Sequence, residues 1–285
     1  MIENISFTDK SFSVTNISNY HMSLQVSLKG FSFCVLDRQK NKFIAFGHYS
    51  YSKITSYRIL LNEVKLVMEG NEVLNQNYQH VKLLFASPKF SLIPGPLFDP
   101  NKLESLFKFN HTLNADERLL SNFIFANGSY VVYTIPNLIV DWFKDYFPTI
   151  KFYHQSCPLT EELLLKNKLG NTQTLVYINM YADFFDFVLL EKGVLKLYNS
   201  FAYKTDSDFQ YFVLNVYDQL KLSPTEVSAL ICGVIPKNDA KIEIVKKYIK
   251  NLEYLNKPYH FEYSFGFDEL PGHYFTNMIN LYQCG

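Results

Sequence analysis

Excess charge of either sign is missing from this chain: 27 Lys and Arg are matched by 27 Asp and Glu among its 285 residues. With no net field there is no whole-molecule attraction for nucleic acid or an anionic membrane, so neither is an expected partner. Cysteine is sparse. Cys34, Cys157, Cys232 and Cys284 form no C-x-x-C pair, which argues against a zinc site or a disulfide framework and for reduced, mostly buried thiols in a cytoplasmic protein. No run approaches the roughly 18 apolar residues needed to span a bilayer. The opening MIENISFTDKSF carries Glu3, Asp9 and Lys10 and lacks the apolar core of a signal peptide. His21, His48, His80, His111, His154, His260 and His273 show no metal-ligand spacing, so no metal is expected. P-loop, G-x-G-x-x-G and G-x-S-x-G strings are absent too.

What is present is apolar and aromatic. Hydrophobic residues make up 48% and charged residues 19%, the balance of a folded chain. The 26 Phe and 21 Tyr accompany a single tryptophan, Trp142. Most of these rings belong in cores and on sheets, and some tyrosines suit a partner-binding face.

The chain also repeats itself. VSLKGFSFCVLDRQKNKFIAFGHYSY, from Val26 to Tyr51, is echoed 152 positions later by INMYADFFDFVLLEKGVLKLYNSFAY, from Ile178 to Tyr203. In the first copy Leu24, Val26 and Leu28 alternate with polar neighbours. Phe31, Phe33 and Val35 do the same, and Phe43, Ala45, Tyr49 and Tyr51 form a third run. Period-two alternation predicts three strands, and short turns at 28–30 and 37–42 force antiparallel pairing. Ser56 reads as the N-cap of a helix with Tyr57, Leu60, Leu61, Val64 and Met68 on one face. Beyond it the pattern predicts a strand over 81–86, a helix from Asp99 and Pro100 to Phe107, a strand over 129–135, and a helix after Pro136.

The second copy predicts strands over 174–180, 183–191 and 194–203, with Lys192 and Gly193 as a tight turn. A helix follows with Phe209, Phe212, Val213, Val216 and Leu220 on its apolar face. A strand over 227–232, a helix over 240–249, a short strand near 259–263 and a terminal helical segment complete it. The residues through Val14 read equally as an edge strand or as a segment packed on the first domain.

This order implies two similar α/β domains, residues 1–147 and 148–285, with 151–168 crossing between them. Three antiparallel strands followed by helix, strand, helix, strand, helix describe a ribonuclease-H-like unit. Two such units in tandem are the plan of actin-like ATPases.

Those enzymes hold a triphosphate between two hairpins that read D-x-G followed by small or hydroxyl residues. Glycine admits backbone N–H groups to the phosphates, and the aspartate organises magnesium and water. Here the first hairpin reads Ser27-Leu28-Lys29-Gly30, with Ser27 at the Asp position and Gly30 one place late. The second reads Asn179-Met180-Tyr181-Ala182-Asp183, with Tyr181 at the first Gly position and Asp183 where it repels phosphate. Asp186 fits an acidic position further along such hairpins. Gly233, after Cys232, is what remains of a Gly-Gly turn under the adenosine. Ser27, Lys29, Gly30, Asn179, Asp183, Asp186 and Gly233 are thus the positions of a degenerate nucleotide site that contains no catalytic residue. Lys29 is a phosphate contact or, more simply, a solvated turn lysine beside a Gly30 that permits positive φ. Asp183 and Asp186 are an odd number of residues apart and face opposite sides of the sheet, which excludes a two-metal nuclease centre.

Several strings resemble one domain-of-unknown-function family of Bacteroidetes proteins with the actin-like ATPase fold. They are Leu24-x-Val26-Ser27-Leu28 leading to Gly30-Phe31-Ser32-Phe33, Asn199-Ser200-Phe201-Ala202-Tyr203 followed by Asp208 and Tyr211, and Leu270-Pro271-x-His273-x-Phe275 ending in Cys284. The resemblance covers nearly the whole chain. It implies the fold and a history of nucleotide binding, and it brings no catalytic residues. Actin-like scaffolds of pilus assembly and type II secretion, related by fold, include members that bind partner peptides. The expectation is therefore a cytoplasmic, non-catalytic actin-fold protein without a cofactor, working on an unidentified protein partner or as an assembly scaffold. The alternative is a divergent ATP- and magnesium-binding enzyme or nucleotide-gated switch.

Overall fold

Alternation becomes a meander in both halves of the computed structural model, which describes residues 4–167 and 173–285. Glu3 of the opening segment and Lys168 of the expected crossing lie outside the described residues. Two units result. One takes the chain up to Thr160 together with Pro258–Leu270 and Asn277–Gly285, and the other takes Glu161–Lys257 and Pro271–Thr276.

The first unit opens with β1 (Ile5–Thr8), which pairs antiparallel with β4, so the segment before Val14 does supply an edge strand. The three expected strands are β2 (Tyr20–Ser27), β3 (Gly30–Asp37) and β4 (Lys42–Ser50), an antiparallel meander. Helix α1 (Tyr57–Gly70) starts where Ser56 accepts a hydrogen bond from the Ile59 N–H at 3.4 Å, and it buries Leu60, Leu61, Val64 and Met68. Strand β5 (His80–Ala86) then returns parallel to β2.

Next comes β6 (Phe90–Pro94), α2 (Leu103–Lys108), β7 (Glu117–Ile124) and β8 (Ser129–Pro136), followed by α3 (Asn137–Tyr146) and β9 (Lys151–His154). Strands β6, β8 and β7 form a separate three-stranded sheet, while β9 pairs parallel with β5 and closes the main one. The strand expected over 129–135 therefore exists but lies in the small sheet, since alternation reports a pleated surface without saying which sheet it joins. Strands β6 and β7 escaped the pattern because β6 runs into Pro94 and six consecutive residues of β7 are half-buried on both faces.

Because β9 belongs to the first sheet, the boundary expected near residues 147–148 falls too early. Helix α4 (Ser156–Asn167) carries the chain out of the first unit after Thr160.

The second unit contains β10 (Thr174–Met180), β11 (Phe184–Glu191), β12 (Val194–Ala202), α5 (Asp206–Gln219), β13 (Ser228–Gly233), α6 (Ala240–Lys246) and β14 (Leu252–Tyr254). Lys192 (φ 50°) and Gly193 (φ 74°) make the tight turn as expected, both left-handed as a two-residue hairpin turn requires. Thr205 and Asp208 form a capping box at the start of α5. Phe209, Val213 and Val216 are buried as expected. Tyr217 takes the place foreseen for Leu220, because α5 ends at Gln219 and leaves Leu220 41% exposed. The core on this side of the sheet joins Ile178, Met180, Phe185 and Phe187 to α5 and α6.

Strand β15 (Glu262–Tyr263) pairs parallel with β4, and α7 (Thr276–Asn280) follows it. The short strand near 259–263 is therefore real but belongs to the first sheet, and β14 fills its expected place in the second.

The orders β4-β3-β2-β5-β9 and β12-β11-β10-β13-β14 are the same, with two antiparallel pairings and then two parallel ones. The chain is thus two ribonuclease-H-like units in tandem, the actin-like ATPase architecture.

Candidate functional site

The first hairpin tip is a two-residue turn, Leu28 and Lys29, between the paired Ser27 and Gly30. Ser27 Oγ donates to the Gly30 carbonyl at 3.4 Å. The positive φ expected at Gly30 is not found: among the described glycines, those with positive φ are Gly128, Gly193, Gly233 and Gly285. Glycine fits there because a Cβ would stand 3.3 Å from the Tyr49 carbonyl oxygen on the next strand. Lys29 is not a solvated lysine either. Its ammonium donates to the carbonyls of Ser52 (3.3 Å) and Ile54 (2.5 Å), and its own carbonyl accepts from the Tyr51 N–H at 2.9 Å. The charge is used to hold the loop before α1.

In the second unit the Tyr181 N–H donates to the Phe184 carbonyl at 2.9 Å, which makes Ala182 and Asp183 the two-residue tip. Matching the tips places Tyr181 at the position of Ser27, Asp183 at that of Lys29 and Phe184 at that of Gly30. Tyr181 therefore stands at the Asp position of the hairpin plan and Asp183 at the first Gly position, a correction of the expected register. Over these two strands the equivalence runs from Tyr20 to Thr174 and from Asp37 to Glu191, two positions beyond the 152-residue spacing. The spacing recovers at Lys42 and Val194, because the second unit's next turn holds only Lys192 and Gly193 where the first has residues 38–41.

Tyr181 is buried, and its ring stacks on Phe184 with centroids 4.4 Å apart and planes 13° apart. Its carbonyl accepts from the Tyr203 hydroxyl at 2.7 Å, while the Tyr203 N–H donates to the Asp183 carbonyl at 3.1 Å. Burial, and after it the carboxylates of Asp239, Asp183 and Asp206, hold the Tyr203 hydroxyl above its ordinary pKa, so it stays a donor.

Behind this tip lies a buried carboxylate. Asp186 is fully buried and accepts from Asn179 Nδ2 (3.0 Å), from the Tyr198 hydroxyl (2.9 Å) and from Ser200 Oγ. Cys232 Sγ closes the cluster on Asn179 Oδ1 at 3.6 Å. Burial, then the neighbouring carboxylate, keeps the Tyr198 hydroxyl well above its ordinary pKa, and the same two causes raise the Cys232 thiol. A buried charge is tolerated when several donors replace its water.

Gly233 ends β13 with φ 92°, where a Cβ would fall 2.2 Å from the Met180 carbonyl oxygen. Its N–H donates to the His273 carbonyl at 2.9 Å.

The structure therefore gathers Asn179 and Asp186, with Gly233 one residue beyond their partner Cys232. It leaves Asp183 at the tip, and it groups Ser27, Lys29 and Gly30 in the other unit. Tyr198, Ser200 and Tyr203 were missed. Their signal was available, because Tyr198 and Ser200 alternate with Asn199 and Phe201 on a strand paired with β11. Among the described residues no three His, Cys, Asp or Glu side chains converge as metal ligands. Among them, too, no helix is long and apolar enough to cross a membrane.

A family model described as "Protein of unknown function (DUF3822)" matches residues 9–252. Among solved structures, the chain is similar to a protein from Bacteroides thetaiotaomicron VPI-5482 described as having an actin-like ATPase fold and unknown function. The two are 24% identical over 96% of this chain and 99% of that one, with a TM-score of 0.82. It is similar in fold to a chain of the PilM-PilN type IV pilus biogenesis complex, at 12% identity, 92% and 97% coverage and a TM-score of 0.55. No curated protein matches it.

Proposed function

This chain belongs to the family of unknown function DUF3822, and we propose that it is a non-catalytic actin-fold protein of the cytoplasm that binds a protein partner or serves as an assembly scaffold. The observation that carries this reading is the second hairpin tip. Where a phosphate loop needs bare main chain, the Tyr181 and Phe184 rings stack, and the Tyr181 carbonyl is bonded to Tyr203. Asp183 adds negative charge beside them.

Magnesium triphosphate does not fit these residues. At the first tip Ser27 offers no carboxylate and the Lys29 ammonium is taken by loop carbonyls. At the second, Asp186 is enclosed by neutral donors and has no oxygen to spare for a hydrated cation. Support for a partner comes from the PilM-PilN complex, in which a chain of this fold is found with another protein. That support is analogy at the level of fold.

Thermal unfolding with ATP, ADP and magnesium separates this reading from a nucleotide-gated switch. A ligand at about 100 times its Kd adds roughly 2.7 kcal/mol to the folded state. The expected result is an unchanged Tm at millimolar nucleotide. A saturable rise that Tyr181→Arg abolishes would overturn the reading. In the native cell, crosslinking should retrieve a stoichiometric complex; a chain that always elutes alone would count against the scaffold.

A further inference from the structure

At the end of the first sheet opposite the Leu28–Lys29 tip, the strand registers bring basic side chains together. His21 on β2 lies opposite His80 on β5, and Lys82, two residues along β5, lies opposite Lys151 on β9. Leu36 on β3 also pairs with His21, which puts Arg38, two residues on, on the same side. These five residues and Tyr282 line a cavity of about 520 Å³, and among the described residues no Asp or Glu lines it. Asp37, next to Arg38, is committed elsewhere. Its carboxylate caps the N–H groups of Gln39 and Lys40 and lies 3.7 Å from the Lys40 ammonium.

Two features of the cavity lack compensation. Lys82 and Lys151 are like charges directly opposed in a sheet, an arrangement that destabilises strand pairing. The Lys82 ammonium donates to the carbonyls of Tyr282 and Cys284, which docks residues 282–284 on the sheet, and Gly285 lines the cavity beside them. His21, 3% exposed, lies edge-on to Tyr282 and has a buried Nε2 with no hydrogen-bond partner. Burial, then Lys82, His80 and Arg38, pushes the His21 imidazole down to about 3, so it is neutral. Arg38 and Lys151, which form no ion pair among the described residues, are the charges that an anionic ligand in this cavity would satisfy.

We propose that this cavity binds a small molecule bearing a phosphate monoester, with Arg38 and Lys151 holding the dianion and His80 hydrogen-bonding beside it. The guanidinium fork matches phosphate oxygens in pairs, and a dianion balances two cations where a single carboxylate leaves one unmatched. The volume falls within the range of small-molecule pockets and exceeds what a bare ion needs. The site lies roughly 20 Å along β2 from the hairpin tip, so it is separate from the degenerate nucleotide positions.

The test is calorimetric titration and thermal unfolding of the full chain at low salt, with inorganic phosphate, glucose 6-phosphate and citrate as probes. Glucose 6-phosphate should bind saturably and raise Tm, with inorganic phosphate weaker and citrate weakest. Arg38→Gln and Lys151→Gln should each weaken glucose 6-phosphate about tenfold. Without ligand, Lys151→Gln should raise Tm, because it removes the Lys82 repulsion. No saturable binding, or binding that neither variant weakens, would overturn the proposal. Tighter binding of citrate would overturn the assignment to phosphate. Nucleotide carries phosphate too, so the ATP experiment belongs in Arg38→Gln/Lys151→Gln protein as well. A shift that vanishes there comes from this cavity and leaves the hairpin reading untouched.

Discussion

At equivalent places in their sheets the two units carry different polar interiors. In the first, Gln25 pairs with Ser32, and Ser32 Oγ meets His48 Nδ1 at 2.8 Å. In the second, matching the hairpin tips puts Asn179 at Gln25 and Asp186 at Ser32, and Ser200 lies where His48 would be. The neutral pair is joined by that hydrogen bond, whereas the carboxylate draws in Asn179, Tyr198 and Ser200. One topology thus tolerates a buried imidazole or a buried aspartate, and the number of donors that converge is set by the charge to be enclosed.

The largest expected difference between the units is their response to acid. In the first unit burial lowers His48 to about 4 and, against an opposing hydrogen bond to the Ser87 carbonyl, lowers His154 to about 3. His21 is lowered to about 3 as well. Below the ordinary histidine value near 6.5 the unfolded chain binds protons that the folded unit refuses, so stability falls as pH drops from about 6.5 toward 4. Each histidine contributes on the order of 1 kcal/mol per pH unit in that window. Hydrogen exchange at pH 5 should show the first meander opening before the second; the reverse order would break the comparison.

The two glycines come next. Gly233→Ala forces a Cβ onto the Met180 carbonyl at a positive φ and should cost about 4 kcal/mol in urea unfolding. Gly30→Ala, with ordinary φ and a 3.3 Å contact, should cost about 1 kcal/mol. The polar interiors should differ less. Asp186→Ala strands the buried donors Asn179 and Tyr198 and the half-buried Ser200 and should cost about 3 kcal/mol, against about 1 kcal/mol for Ser32→Ala. Equal losses would mean that the carboxylate network is no more demanding than the Ser32–His48 bond. The smallest contrast is at the tips, where Lys29→Met should lose about 1 kcal/mol through the Ser52 and Ile54 carbonyls.

Much of this was written locally. The strands of both meanders, the Ser56 cap and the Lys192–Gly193 turn follow from alternation and turn chemistry between sequence neighbours. What alternation cannot report is the identity of a strand's partner. Strands 129–136 and 262–263 were legible as strands and misplaced as to sheet, because pairing is decided by residues far away in the chain. The candidate site was partly legible for the same reason. Ser27, Lys29, Gly30, Asn179, Asp183, Asp186 and Gly233 were proposed by position in a hairpin plan. Their roles were not, since Lys29 bonds carbonyls beyond the next strand and Asp186 depends on a third strand.

From the sequence alone came two α/β units and the presence of a bulky Tyr181 and an anionic Asp183 at the second hairpin, because side-chain size and charge belong to each residue wherever it lies. Only the tertiary structure decided the two-residue slip between the repeats, the small sheet of β6, β7 and β8, and the meeting of Arg38, His21, Lys82 and Lys151 around one cavity. Those outcomes depend on strand register and on pairing between distant segments, which no single stretch of the chain encodes.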